Sequence, residues 1–377
     1  MEQWGLPDLP HKVIYNILSR LPVKSLCRFK SVSKPWLALI NDPHFIKSHL
    51  HQSMQSNTNQ KLIVVPQYNR GHKSPISFYS MDYQAPDPTI AKLEMPWKYC
   101  DVDIWGSFNG VLLVGIDEEL RLWNPSIGMY QKISPLRSSS CFQTVYGLAY
   151  DSINDDFKVV GVVKRDVPSM PPPVHVFSSK LSSWKSIGDF DYHCGLYNGT
   201  PRCVLNGSPH WVTSSYPHKD RHNFHIVCFD VMEEKFKDVP MPTYEVGCDF
   251  FNLGVLDGCL CVVDCRHHFD IWVMKEYGVK ESWAKLFVVP NVPRNVPGAL
   301  FSEYYQLLCF AKDGEVVLRL QLEKKKKLEE SLKLVIYNPK QKTKRIGMPQ
   351  DWQLFGVTVY VESLVSPHGC NSTRRHC

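Results

Sequence analysis

A chain of 377 residues with 44% hydrophobic and 21% charged content has room for two or three domains and the balance of a globular protein. Its net charge of +6 is too mild to mark a nucleic-acid partner, and no apolar run approaches the roughly 18 residues that a membrane span needs. Residues 1–12 lack the basic start and apolar stretch of an export signal. The 13 cysteines therefore read as free thiols of a cytosolic or nuclear protein, and the sequons at Asn198 and Asn371 have no glycosylation to receive.

Residues 6–50 are the one clearly helical part. Asp8 can cap a first helix with Pro10 in its first turn. Val13, Ile14, Ile17, Leu18 and Leu21 then recur at helical spacing. Pro22 ends that helix and opens a second carrying Val23, Leu26, Cys27 and Phe29. Ser33 can cap a third, with Pro35 in its first turn and Trp36, Leu39 and Ile40 on its face, and Asn41-Asp42-Pro43 stops it. A short fourth helix is expected from about Phe45 to Leu50. So small a module cannot bury all of its large apolar side chains internally. The surplus faces either a partner or the domain that follows.

Residues 51–60 are polar and aperiodic and read as a linker. Beyond them a unit repeats. A turn ending in glycine recurs at Asn109-Gly110, Asn206-Gly207, Asp257-Gly258 and Asp313-Gly314, each suited to a hairpin whose central residues take positive φ. After each comes an apolar strand, then a strand ending in an aromatic at Trp123, Phe229, Trp272 or Tyr337, then a short turn and a last strand. Residues 146–187 fit the same plan with a longer first turn, residues 151–156, and Phe177 as the aromatic. These make five units of four strands. A sixth, at the start, has three (residues 62–65, 76–79 with Tyr79 as the aromatic, and 90–93), and an orphan strand runs from Leu354 to Val361. The economical arrangement is a ring of six blades in which the orphan strand completes the first and removes two exposed sheet edges. An open β-sandwich is the rival. The chain is thus expected to be an α+β multidomain protein: a helical module at 6–50, a linker at 51–60, a six-bladed β-propeller at 61–366 and a polar tail at 367–377.

Two stretches resemble a known family. The string Leu9-Pro10, Ile17-Leu18-Ser19-Arg20-Leu21-Pro22-Val23-Lys24-Ser25-Leu26, Phe29-Lys30-Ser31-Val32-Ser33-Lys34, Trp36 and Leu39-Ile40 is similar to the plant F-box, from which it departs at Pro35. Trp123-Asn124-Pro125-Ser126, Phe157-Lys158-Val159-Val160, Val176-Phe177-Ser178-Ser179, Ser183-Trp184 and Tyr360-Val361-Glu362-Ser363-Leu364-Val365 resemble the F-box-associated, kelch-like domain of the same proteins. The pollen S-locus F-box proteins share this architecture and are one subgroup it resembles. The resemblance implies a Skp-type adaptor as partner, through it a cullin scaffold, and a target protein, with glycoproteins one class of target. By position, Leu9, Pro10, Ile14, Leu18, Leu21, Pro22, Leu26, Val32 and Trp36 are the adaptor-facing or supporting residues it implies.

Length variation gathers in the second loop of each unit and in the loops joining units, which share one face of a propeller. Variable loops on a rigid scaffold are a usual place for recognition. Tyr192, His193, Tyr197, Tyr216, His218, Arg221 and Tyr244 are the target-binding candidates there, against the plainer reading of ordinary solvated loops. Other motifs carry less. Cys259, Cys261 and Cys265 with His267 and His268 lack structural zinc spacing and share a strand face where a thiol is a small core residue. The basic run at residues 324–327 is followed by Glu329 and Glu330 and reads as a solvated loop. Asp117, Glu118 and Glu119 crowd one tight turn rather than facing each other as glycosidase carboxylates do. No catalytic residue, metal site or cofactor is expected, nor a nucleic-acid or membrane partner. The leading expectation is a non-catalytic substrate receptor of an SCF-type (Skp–cullin–F-box) ubiquitin ligase. The alternatives are an F-box scaffold acting outside the ligase, or a propeller lectin or enzyme with a helical cap.

Overall fold

The computed structural model describes residues 10–56, 59–67, 77–85, 89–95, 102–116, 119–136, 144–165, 170–193, 203–215, 224–243, 251–264, 269–289, 303–311, 314–323, 330–346 and 353–369. Four helices open the chain: α1 (His11–Leu18), α2 (Val23–Phe29), α3 (Lys34–Asn41) and α4 (Pro43–Ser56). Pro10 and Pro22 stand at the caps of α1 and α2, where a missing N–H costs nothing. Asp8, the expected cap, lies outside the described residues. Ser33 caps α3, its Oγ accepting from the Trp36 N–H at 3.3 Å. Asp42 Oδ1 accepts from the N–H groups of His44 and Phe45 to start α4. That helix is longer than the sequence suggested and runs on to Ser56, through most of the expected linker. Residues 51–56 contain neither Gly nor Pro, and Phe45, His49 and Ser53 bury one stripe of the helix at four-residue spacing.

The strands form a six-bladed propeller. Blade 1 holds β1 (Gln60–Gln67), β2 (Tyr79–Asp82) and β3 (Thr89–Lys92). Blade 2 is β4 (Val102–Phe108), β5 (Val111–Ile116), β6 (Glu119–Asn124) and β7 (Met129–Ile133), and blade 3 is β8 (Thr144–Asp151), β9 (Asp156–Val163), β10 (Pro173–Ser178) and β11 (Ser183–Asp189). In blade 4 the first strand is split into β12 (Tyr192–His193) and β13 (Cys203–Leu205), both pairing with β14 (Ser208–Ser215), followed by β15 (Phe224–Asp230) and β16 (Lys235–Val239). Blade 5 is β17 (Phe251–Leu256), β18 (Cys259–Asp264), β19 (Phe269–Met274) and β20 (Trp283–Val289); blade 6 is β21 (Glu303–Phe310), β22 (Val316–Glu323), β23 (Glu330–Asn338) and β24 (Thr343–Ile346). The last strand, β25 (Gln353–Val361), pairs antiparallel with β1 from Gln60↔Val361 to Gln67↔Gln353 and becomes the innermost strand of blade 1. N- and C-terminal segments thus share one blade and close the ring.

Continuous apolar strands follow from burial on both faces. In β1, Leu62 and Val64 enter the core between blades 6 and 1, whereas Ile63 and Val65 enter the core between blades 1 and 2. In β18, Leu260 and Val262 face blade 4 and Cys261 and Val263 face blade 6. Three of the four expected glycine turns are described in full; of the fourth, Asp313 lies outside the described residues. Asn109, Asn206 and Asp257 take φ of 51°, 52° and 46°, each followed by a glycine at positive φ, which suits a tight hairpin turn. Trp123, Phe177, Phe229 and Tyr337 are buried at the ends of their strands. Blade 1 departs from expectation: its second strand lies at Tyr79–Asp82 rather than at 76–79. The register Leu62↔Met81 and Val64↔Tyr79 buries Met81, so the aromatic at the strand end is Tyr83, whose hydroxyl donates to Gln60 Oε1 at 2.8 Å. In blade 5 the register slips between Ile271 and Trp272, and Trp272 is only half-buried.

Candidate functional site

The helices leave one apolar surface outward and seat the other on the propeller. Leu18, Val23, Leu26, Ile40, Phe45, Ile46 and Leu50 are buried. Phe29 and Trp36 meet edge-to-face at 5.4 Å, as do Tyr15 and Phe45 at 5.3 Å. His49 stacks on Phe45 and donates from Nε2 to the Leu21 carbonyl at 2.9 Å, tying α4 to the α1–α2 turn. Burial pulls its pKa down, against the opposite effect of the Leu21 carbonyl and of Glu362. Outward stand Val13 at 39% exposure, Ile17 at 49%, Val32 at 60% and Leu37 at 42%, with Pro10 and Pro22 exposed beside them. Val13 and Ile17, four residues apart, share one face of α1, and with Val32 and Leu37 they leave apolar area of this small module open.

The adaptor candidates named from the sequence divide accordingly. Pro10, Pro22 and Val32 are exposed; Ile14, Leu21 and Trp36 are half-buried; Leu18 and Leu26 are wholly internal and support the helices. Leu9 lies outside the described residues. Val13, Ile17 and Leu37 were not among the candidates, although Val13 and Ile17 were legible as one edge of an apolar arc too wide for a single buried face.

Strand direction puts the helices on one face of the ring. α4 leads into β1 at Gln60, which pairs with Val361 at the end of β25, and Ser363 Oγ donates to the Asn109 carbonyl in the first turn of blade 2 at 2.7 Å. First turns, third turns and helices therefore share a face. At its centre a cavity of about 570 Å³ opens into the channel, lined by inner strands β4, β13, β17, β21 and β25 and by Met54 of α4. The strand ends that lead into the second and joining loops lie at the opposite end.

On that opposite end only part of the expected target surface falls among the described residues. Tyr192 is half-buried, 5.3 Å from the Phe190 ring and 5.7 Å from the His225 ring. Burial, with a hydrogen bond to Asp238, pushes its hydroxyl up to about 12. It is thus engaged in the blade as much as offered to a partner. His193 pairs through its backbone with Ser214. Tyr197, Tyr216, His218, Arg221 and Tyr244 lie outside the described residues. So do Cys265, His267 and His268; Cys261 is buried, and burial pushes its thiol well up. Among the described residues no group of three His, Cys, Asp or Glu side chains is placed to hold a metal, and no helix is long and apolar enough to cross a membrane.

Comparison with known proteins agrees with this two-part arrangement. Residues 6–48 match the F-box domain and residues 72–367 match the F-box associated beta propeller domain. The chain belongs to the family of F-box proteins that carry an F-box associated beta propeller domain. It is 34% identical over 344 residues to F-box protein CPR1 of Arabidopsis thaliana, a match covering 83% of this chain and 79% of that one. It is 29% identical over 386 residues to F-box/kelch-repeat protein At3g23880 of the same plant, covering 97% and 98% of the two chains. F-box domains bind Skp-type adaptors in SCF complexes.

Proposed function

We propose that the protein is the substrate-recognition subunit of an SCF-type ubiquitin ligase, acting in the cytoplasm or nucleus. The outward surface of α1–α3 holds the Skp-type adaptor and through it the cullin. The loop face at the far end of the propeller holds a target protein. The receptor does no chemistry of its own; it raises the local concentration of the target near the charged ubiquitin carrier. The observation that carries this reading is the exposed set Val13, Ile17, Val32 and Leu37, on helices whose other side is already packed within the chain. An apolar surface so placed exposes area that association would bury at roughly 25 cal/mol per Å².

The test is calorimetric titration of the full-length protein with a Skp-type adaptor. A Val13→Ser, Ile17→Ser double variant should lose roughly 30-fold or more in affinity, as for a hot spot of about 2 kcal/mol. Its unfolding free energy should fall by only about 1–2 kcal/mol, because each side chain is already about half solvated. A Leu18→Ala variant should instead lose about 2–5 kcal/mol of stability. Undiminished adaptor binding by the double variant refutes the reading.

A further inference from the structure

The segment after the ring-closing strand, Glu362 to Gly369, runs across the first-turn face of blades 2 and 3 and meets the helices there. The Glu362 N–H donates to the Asn59 carbonyl at 2.9 Å, and its carboxylate pairs with Lys61 at 2.8 Å. Asn59 in turn donates from Nδ2 to Ser53 Oγ of α4 at 2.8 Å. Ser363 and Asn124 are both fully buried. Ser363 Oγ donates to the Asn109 carbonyl. The Asn124 Nδ2 group shares its two hydrogens among Ser363 Oγ at 3.1 Å, the Ser363 carbonyl at 3.0 Å and the Val365 carbonyl at 2.8 Å. Asn124 Oδ1 accepts from the Ser126 N–H at 2.9 Å. Leu364 and Val365 are buried in the same apolar cluster as Leu18, Ile46 and Leu50 of the helices. The far end reaches blade 3, where a β-carbon on Gly369 would lie 2.8 Å from the Asp155 carbonyl.

A buried side-chain amide and hydroxyl holding a bare strand of backbone are a costly arrangement unless every bond is made. Here they anchor the surface on which the F-box sits. We infer that Asn124 and Ser363 are positioning residues of the receptor: through the Glu362–Gly369 segment they hold the F-box, and whatever adaptor it carries, at one orientation to the propeller. This rests on the receptor reading for its consequence, since transfer to a bound target depends on how often the two ends of the receptor are correctly oriented. The orientation itself is a property of this chain alone.

Spin labels introduced as unnatural amino acids at Lys24, exposed on α2, and Glu281, exposed in blade 5, report the orientation as a distance distribution by pulsed electron resonance. The parent should give one narrow peak. Ser363→Ala and Asn124→Ala should broaden it at least twofold, while adaptor affinity stays within twofold. Ubiquitin transfer to a lysine-bearing peptide grafted into the β14–β15 loop should fall about fivefold in kcat with KM for the charged carrier unchanged. A role confined to the stability of blade 2 would lower the melting temperature without moving the width. Ser363→Ala removes a single hydroxyl and covers the case in which Asn124→Ala fails to fold. An unchanged distribution in a folded Ser363→Ala variant overturns the inference. Absence of adaptor binding by the parent overturns the receptor reading instead and leaves the distance test standing.

Discussion

Gly110 and Gly258 occupy the same position of the same turn, in blades 2 and 5, at φ of 82° and 75°. What differs is what lies above them. A β-carbon at Gly258 meets nothing within 4 Å, whereas at Gly110 it overlaps Ser363 Oγ and lies 2.5 Å from the Val361 carbonyl. Alanine at either site carries the strain of a left-handed backbone, about 1 kcal/mol. At Gly110 it must also lift Ser363, breaking the bonds to Asn109 and those from Asn124. Two or three buried hydrogen bonds at about 1 kcal/mol each bring the loss to about 3–4 kcal/mol against about 1 at Gly258. The difference, about 2–3 kcal/mol, is roughly 30- to 150-fold in the unfolding equilibrium. Urea titration of the two variants, followed by tryptophan fluorescence, reads it directly. Equal losses at the two glycines would refute the argument that the C-terminal segment is seated on the blade 2 turn.

Two further outcomes follow from the same structure. His210 is buried, donates from Nδ1 to the Ser208 carbonyl at 2.9 Å and accepts from the Tyr277 hydroxyl at Nε2, 2.7 Å away. Burial lowers its pKa to about 4, below the unfolded value of 6.5, so it is the unfolded chain that takes up the proton first. Stability from this site is therefore intact above about pH 6.5 and declines as pH falls towards 4, by about 2 kcal/mol at pH 5. The stability difference between the parent and a His210→Gln variant should shift by that amount between pH 7.5 and pH 5; a pH-independent difference would remove His210 as the cause. Removing residues 353–377 should abolish cooperative folding. It strips Val357, Tyr360, Leu364 and Val365 from the core, about 6–12 kcal/mol of burial against a total stability of similar size, and bares the inner edge of β1. A sharp, soluble unfolding transition for that truncated chain would contradict closure by β25.

Local chemistry made much of this molecule legible in the sequence. Proline caps, Ser33 and the Asn41-Asp42-Pro43 stop placed the first three helices, because capping and φ restriction act within a few residues. The glycine turns at Asn109, Asn206 and Asp257 marked three of the hairpins, since a positive-φ pair suits so short a loop. The strand count, three at one end and an orphan at the other, implied a ring before any contact was seen. Long-range packing decided the rest. A helical period shows which side chains of α1 are apolar but not which of them another helix will cover, so Leu18 and Ile17 read alike although one is internal and the other open. Periodicity placed the second strand of blade 1 three residues early, because only pairing with β1 sets that register. Asn124 and Ser363 stood in the sequence within two separate stretches that resemble the F-box-associated domain, with nothing to pair them. The two lie some 240 positions apart, and no spacing rule joins them; the closed ring brings the segment after the last strand onto the first turn of blade 2, where the buried amide bonds Ser363 and the Val365 carbonyl and the hydroxyl bonds the Asn109 carbonyl.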